Sequence, residues 1–493
     1  MEIITGIVKK MWYGAVCAGA VLSFSQVAEA HVELPHVLAD GMVLQQQTDV
    51  KLWGKAKPGS KVTVTPSWQK SKSTTVVSGD SLWSVNVATP SAGGPYEIKI
   101  SDGDGEPVVL KDVLVGEVWF CAGQSNMEMP MKGFDRQPLK GTNGVIARSK
   151  PTTPIRVFTP DSKDGKWVRS SAKTPQTDVV GEWWTNTPDN VAHTSAVAYL
   201  FGQYLNDVLD VPVGLIVSSL GGSRIEPWMS REALAEFPGY TYDHLKEGAK
   251  DNAWNDPCLL FNAKVAPFTE FPVKGFLWYQ GESNRHNADS YDRMMAAMAK
   301  DWRTRWGGGE DMPFYFVEIA PFRYEGNDGT SSARLREAQA NAVKLIPNSG
   351  IASTLDAGNY NFIHPVDKFT PAERLAWMAL ADTYGMTGFG SRSPQYESME
   401  IKDGKIYINV TGAPNGLCPM WTSLTGFEIA GADYKFYPAF AEVEEKTCRL
   451  AVSAKEVPEP VAVRYCYKNV PEPSVYNVPG LPLLPFRTDD WED

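Results

Sequence analysis

Residues Val113 to Pro130 read VLVGEVWFCAGQSNMEMP. As far as Cys121 this is a nearly unbroken run of Val, Leu, Trp and Phe. Such a run suits a strand buried on both faces, as in a parallel sheet. It stops at Ala122-Gly123-Gln124-Ser125-Asn126, where a small residue and a glycine allow a sharp turn. The turn leaves the Ser125 hydroxyl at the strand end, the edge where open α/β sheets bind ligands. A serine there is a nucleophile if a base and oxyanion donors converge on it. As a plain strand-to-helix cap it needs neither, so the rest of the chain has to decide.

Four more apolar runs follow. Val213 to Leu220 ends in Gly221-Gly222-Ser223-Arg224, and Gly275 to Tyr279 ends in Gln280-Gly281-Glu282-Ser283-Asn284. Phe314 to Ala320 ends at Pro321, and Ile351 to Leu355 ends at Asp356. Between them, Ser195 to Val208 carries Val197, Leu200, Phe201, Tyr204 and Leu205 at helical spacing. Tyr291, Met294, Met295, Met298, Trp302 and Trp306 form a second apolar stripe, read as a core face. Thr370-Pro371-Ala372-Glu373 reads as a capping box with proline at the first helical position. Strands alternating with helices predict a parallel, doubly wound sheet over residues 111–385. The long connections 131–190 and 221–262 are expected to build the substrate-facing surface.

On either side of this region the pattern is β. Residues 31–110 hold alternating stretches such as Leu82-Trp83-Ser84-Val85-Asn86-Val87 and Tyr96-Glu97-Ile98-Lys99-Ile100. Turn signals at Pro58-Gly59, Gly93-Gly94-Pro95 and Asp102-Gly103-Asp104-Gly105 separate them, which predicts a small sandwich without catalytic residues. Residues 386–493 return to alternation, at Lys405 to Val410 and Val461 to Tyr465, before a proline-rich tail.

The chain of 493 residues is 43% hydrophobic, enough for several packed domains. Its net charge of -11, with no basic tract, argues against a nucleic-acid partner. Lys9 and Lys10 precede an apolar stretch from Met11 to about Phe24, and Ala28-Glu29-Ala30 fits a cleavage site. The expectation is a signal peptide over 1–30, removed before His31. The product is then periplasmic or secreted, with no stable membrane insertion. Of the six cysteines, Cys17 lies in this leader. The other five lack CxxC spacing, which argues against zinc; no metal and no cofactor are expected. Cys418, Cys448 and Cys466 are close enough in sequence for a disulfide among them. Cys121 reads as core.

A serine nucleophile needs a base, and only six histidines are available. His364, in Asn361-Phe362-Ile363-His364-Pro365, follows the last parallel strand and so returns to the same sheet edge. Oxyanion donors at strand ends would be the Ser125 and Gly222 N–H groups and a side-chain amide, Gln280 or Asn284.

Gly123 to Met129, Gly221-Gly222-Ser223, Trp278 to Asn284 and Ile363-His364-Pro365 occur in an order that resembles the sialate O-acetylesterase family of SGNH-type hydrolases. Leu335-Arg336-Glu337-Ala338-Gln339, Gly480-Leu481-Pro482 and Pro485 to Asp489 also look like that family. The resemblance implies a flavodoxin-like hydrolase domain with accessory N-terminal and C-terminal β regions. It implies metal-free, serine-dependent removal of O-acetyl groups from sugars. It assigns Ser125 as nucleophile, His364 as base, and Gly222 with Gln280 or Asn284 to the oxyanion. Gln124, Glu282 and Arg224 are candidate substrate contacts, although Glu282 also reads as a structural member of its motif. An arginine facing a sialic acid carboxylate could be Arg136, Arg224, Arg285 or Arg323.

One position departs from the family. Where Asp usually stands three residues before the histidine, this chain has Asn361. The third member is therefore open between an acid such as Asp356 and a carbonyl, with the carbonyl favoured and Asn361 itself of small effect. Two rival functions remain: an acetyl esterase for plant polysaccharide such as xylan or pectin, and a catalytically decayed carbohydrate-binding protein.

Overall fold

The computed structural model describes residues 32–160, 171–445 and 449–491, with two short strand pieces at 162–163 and 166–167. The expected leader, its cleavage point and Cys448 lie outside the described residues.

The strand that organises the sheet is Val108–Gly123, and from Val113 onward every residue in it is buried. Val213–Ser219 and Gly275–Tyr279 flank it in parallel, with Ser219 and Tyr279 both opposite Gly123. Beyond Gly275–Tyr279 come Phe314–Val317 and Ser349–Ala352, also parallel. On the other side lie Ile155–Pro160 and an antiparallel edge strand, Gly181–Trp184. Apart from those two outer strands the spatial order is that of flavodoxin, 2-1-3-4-5. Its topological switch point lies between Val108–Gly123 and Gly275–Tyr279, the crevice in which such sheets bind ligands.

Alternate side chains feed two layers. Trp119, Cys121, Leu277 and Tyr279 pack with Val197, Phe201 and Leu375, from helices Ala196–Leu209 and Phe369–Met378. Phe120, Phe276 and Trp278 pack with Met294, Met298, Trp302 and Leu335, from helices Tyr291–Arg305 and Ser331–Leu345. The apolar stripe is thus a core face. The Ser195 hydroxyl caps its helix by accepting from Ala198 N–H at 3.2 Å.

The helix after His364 is capped differently from expectation. It starts at Phe369 rather than Pro371, and Asp367 supplies the acceptor. Asp367 Oδ1 accepts from the N–H groups of Phe369 and Thr370, at 2.9 and 3.1 Å. A carboxylate earlier in the chain outcompetes the threonine, whose own hydroxyl donates to Asp367 at 2.6 Å.

The N-terminal strands are continuous with the catalytic sheet. The first residues of Val108–Gly123 pair antiparallel with Gly93–Ser101, which pairs in turn with Lys61–Pro66. Asp49–Lys55 and Leu82–Ala88 form a separate pair. Val62, Val64, Ile98 and Ile100 lie in the same hydrophobic core as Phe120 and Trp278. Between the two halves of the shared strand the register with Gly93–Ser101 shifts, and Asp112 adopts φ +53°. That combination marks a bulge.

At the C-terminal end, Gln395–Lys402, Lys405–Thr411, Leu450–Ser453 and Phe440–Val443 form one antiparallel sheet. Phe436–Pro438, Phe427–Ala430, Ala462–Tyr465 and Phe486–Arg487 form another, and Ile406, Ile408, Ile429, Val452 and Val463 share a core. Cys418 and Cys466 are separate free thiols. The Cys418 sulfur donates to Tyr476 and Asn477 carbonyls at 3.4 Å each, whereas Cys466 is buried.

Candidate active site

The Ser125 turn is built on close backbone contact. Gly123 has φ +145°, and a Cβ there would lie 2.2 Å from the Tyr279 carbonyl oxygen. Only glycine fits that approach. Gln124 N–H donates to the same carbonyl at 3.0 Å, and one helical turn, Ser125–Glu128, follows. Ser125 is half-buried, and among the described residues nothing pairs with its N–H or hydroxyl. The Gly221-Gly222 turn leans on it. A Cβ on Gly221 would stand 3.4 Å from Ser125 Cβ, and Gly221 N–H donates to the Glu128 carboxylate. Gly222 N–H is unpaired among the described residues, whereas its carbonyl accepts from the Ser283 hydroxyl at 2.9 Å.

The residues on both sides of Ser125 act as ties. Gln124 Oε1 accepts from the Gly281 and Ser283 N–H groups, at 3.1 and 3.4 Å. Asn126 Nδ2 donates to Glu282 Oε1 at 2.6 Å and to the Ile363 carbonyl at 3.2 Å. Asn126 Oδ1 accepts from Lys368 Nζ at 2.6 Å. The Ser125 turn, the Gln280–Asn284 loop and the His364 loop therefore meet at one buried asparagine. Gln124 and Glu282, expected as substrate contacts, are buried and turned inward to hold these loops.

Of the two side-chain amides expected at the oxyanion, Gln280 has both amide hydrogens engaged and Asn284 has one. Gln280 Nε2 donates to the Ser223 carbonyl at 3.0 Å and to Asn284 Oδ1 at 2.8 Å, and its Oε1 accepts from Tyr291 at 2.6 Å. Asn284 Nδ2 donates to Glu226 at 3.0 Å, and its Oδ1 also accepts from Ile225 N–H at 2.9 Å. Both are buried. The backbone donors left at the site are the N–H groups of Ser125 and Gly222.

His364 is half-buried, with its ring edge-on to Phe134 at 5.2 Å. Its Nδ1 meets Gln137 Oε1 at 2.6 Å. An acceptor there fixes the proton on Nδ1 and leaves Nε2 as the basic nitrogen. The group that meets Nδ1 is thus a side-chain amide from the 131–190 connection. Asp356 is occupied by a two-point ion pair with Arg374, at 2.6 and 2.8 Å. Asn361 is exposed, with its backbone N–H on Asn359 Oδ1 at 2.8 Å. Burial pulls the His364 pKa down to about 4, and the neighbouring Lys368 cation adds to the effect. Burial likewise brings Lys368 down to about 7, against the opposing pull of Glu282 and Asp367. The buried Glu282 carboxyl is raised, chiefly by desolvation.

Around the rim, Arg224 N–H donates to the Trp254 carbonyl at 2.8 Å, and the Trp254 indole donates to the Gly221 carbonyl at 2.9 Å. Arg285 is engaged by Glu325 at 2.6 Å, and Arg323 lies over the Tyr360 ring at 5.2 Å. Arg136 is exposed. Among the described residues no group of three His, Cys, Asp or Glu side chains is placed to hold a metal ion.

Sequence reasoning passed over Gln137, Asn126, Glu128 and Lys368. Asn126 and Glu128 stood inside the quoted motif, where their polarity beside buried methionines was the available signal. Lys368 lies four residues after His364, and Gln137 had no local signal at all.

Comparison with known proteins identifies the family. The family model of sialic acid-specific acetylesterases, among the carbohydrate esterases, matches residues 115–364, about half of the chain. The sialate O-acetylesterase of Homo sapiens is 29% identical over 407 residues, covering 75% of this chain and 74% of its own. That of Mus musculus is 28% identical over 425 residues, covering 75% and 77%. The crystal structure of a carbohydrate acetylesterase from Xanthomonas citri is 33% identical and superposes with a TM-score of 0.83, over 93% of this chain and 100% of that one. With Ser125, Gly222 and His364 all inside the matched region, the chain belongs to the sialic acid-specific acetylesterase family of carbohydrate esterases and is a carboxylic ester hydrolase.

Proposed function

We propose that the chain is an exported serine esterase that removes O-acetyl groups from sugars, with O-acetylated sialic acid as its first substrate class. The observation that carries the chemistry is Ser125 at the switch point, with two N–H groups unclaimed beside it and a histidine whose Nδ1 is held. The family match and the names of the human and mouse relatives support the sugar. The carbohydrate acetylesterase likeness keeps acetylated plant polysaccharide as the second reading.

In this reading His364 Nε2 takes the Ser125 proton as Oγ attacks the acetyl carbonyl. The oxyanion lies between the N–H groups of Ser125 and Gly222. Collapse breaks the ester bond, and His364 returns its proton to the departing sugar oxygen. Water, deprotonated by the same nitrogen, then splits the acetyl-serine and releases acetate. Gln137 fixes the tautomer but carries no charge to balance the imidazolium. Arg224, whose guanidinium makes no hydrogen bond or ion pair among the described residues, is the candidate for an anionic substrate group. Export with cleavage before His31 and a boundary at 385/386 belong to the same proposal, whereas the expected boundary at 110/111 would cut the continuous strand Val108–Gly123.

Acetate release across a panel tests it: O-acetylated sialic acid, acetylated xylan, acetylated pectin and 4-nitrophenyl acetate. The highest kcat/KM should fall on the sialic acid. A preference for xylan or pectin replaces the sugar and keeps the esterase. Release from none of the four would leave a binding protein.

A further inference from the structure

We propose that Lys368 is a positioning residue of the esterase, a buried clamp that fixes the Ser125 turn against the His364 loop through Asn126. The proposal rests on the Ser125–His364 reading above.

Lys368 stands just before the Phe369–Met378 helix and has no solvent-exposed surface. An ammonium in that position is costly unless a specific interaction holds it. A methionine would fill the same space in a helix start packed on an apolar core. The lysine instead aims at the one side chain that ties three loops. Its Nζ meets Asn126 Oδ1 at 2.6 Å and lies 5.8 Å from the Tyr279 ring centroid. Below about pH 7, where it is an ammonium, it only donates and so dictates which end of the Asn126 amide faces it. The Nδ2 end must then face Glu282 at 2.6 Å and the Ile363 carbonyl at 3.2 Å. Asn126 follows the nucleophile directly, and Ile363 precedes the base directly. Lys368 thereby sets the position of Ser125 relative to His364 without touching either reacting atom.

The same charge acts on the base. The groups facing His364 are Lys368 on its own loop and the uncharged Gln137 and Phe134 from the insertion. Glu282 and Asp367 act on Lys368 itself. A cation beside His364 disfavours the imidazolium, so it extends the range in which the base is neutral toward acid.

The test uses the full-length enzyme on 4-nitrophenyl acetate, with Lys368→Met and Lys368→Arg checked by circular dichroism. Lys368→Met should lower kcat by about 10²-fold, the loss that follows a small misplacement of reacting groups, with KM little changed. It should also move the acid limb of kcat/KM to higher pH, because His364 loses a cationic neighbour. Lys368→Arg keeps the charge and should leave that limb in place while lowering kcat. A folded Lys368→Met with an unmoved acid limb overturns the proposal whatever its rate, since a merely structural lysine does not tune His364. If Lys368→Met fails to fold, Asn126→Ala breaks the same link from the other end, and wild-type kcat in it overturns the clamp. Ser125→Ala separates the two levels. Residual activity near wild type there ends the serine reading, whereas its loss beside a fully active Lys368→Met sinks the clamp alone.

Discussion

On one side of Ser125 the buried side chains of Gln280 and Asn284 are hydrogen-bonded to each other and to Ser223, Ile225, Glu226 and Tyr291. On the other side His364 is steered by a single side-chain bond, 2.6 Å long, from Gln137 on a long insertion. The same functional group, a primary amide, does opposite jobs. At Gln280 both ends are saturated within the protein, which makes a rigid wall and offers nothing to substrate. At Gln137 one end meets His364 Nδ1, the contact that in the proposed mechanism holds the base. An amide near a reaction centre is therefore to be judged by which of its atoms remain uncommitted.

The sharpest way to break this comparison is at the point both sides serve. Ser125→Ala should keep its fold and lose about 10⁴-fold or more in kcat. A variant within tenfold of wild type on 4-nitrophenyl acetate would remove the reason for comparing the two sides.

The steering side comes next. Gln137→Ala should lower kcat by about 10- to 10²-fold, because an unheld imidazole samples the wrong tautomer. Gln137→Glu should instead displace the pH profile. With His364 lowered to about 4, the wild-type acid limb lies near there, and activity is lost as pH falls through it. A carboxylate at 137 stabilises the imidazolium and raises that pKa, so the limb should move upward. An unmoved limb in Gln137→Glu would show that the bond does not steer the base.

The Gln280–Asn284 side should respond in stability rather than in rate. Asn284→Ala strips partners from Ile225 N–H, Glu226 and Gln280, and should cost about 3 kcal/mol or more at a penalty of about 1–3 kcal/mol per buried unpaired group. Thermal unfolding reads that loss. A collapse of kcat at full stability would instead make Asn284 an oxyanion donor. Least of all, Asn361→Ala should stay within about twofold of wild type, as exposed substitutions do. A larger fall in its kcat would return Asn361 to the triad.

The parallel sheet could be read from sequence because strands buried on both faces leave continuous apolar runs, as in Val113 to Gly123 and Gly275 to Tyr279. Ser125 and His364 were legible for the same reason, each following such a run at the same edge. Gln137 was not, because its contact with His364 joins residues 227 apart and no local pattern encodes it. Gln280 and Asn284 were visible as polar residues at a strand end, but spacing does not say whether an amide faces the crevice or the core. Asp356 was the nearest carboxylate in sequence, and Arg374, on the helix that packs behind the strand, had already paired with it. The strand shared across residue 110 escaped notice because the turn-rich pattern before it and the apolar run after it look like separate units.

That shared strand carries a consequence for how such a protein can change. Side chains alternate between faces, so inserting or deleting one residue in Val108–Gly123 would turn every later side chain over. The bulge at Asp112 fixes the count between the end that pairs with Gly93–Ser101 and the end that delivers Ser125. Recombination that swapped the N-terminal strands for a foreign set would have to reproduce that count and that bulge. The accessory strands and the nucleophile are thus expected to pass from ancestor to descendant as one inherited block, with insertions accumulating in the 131–190 and 221–262 connections instead.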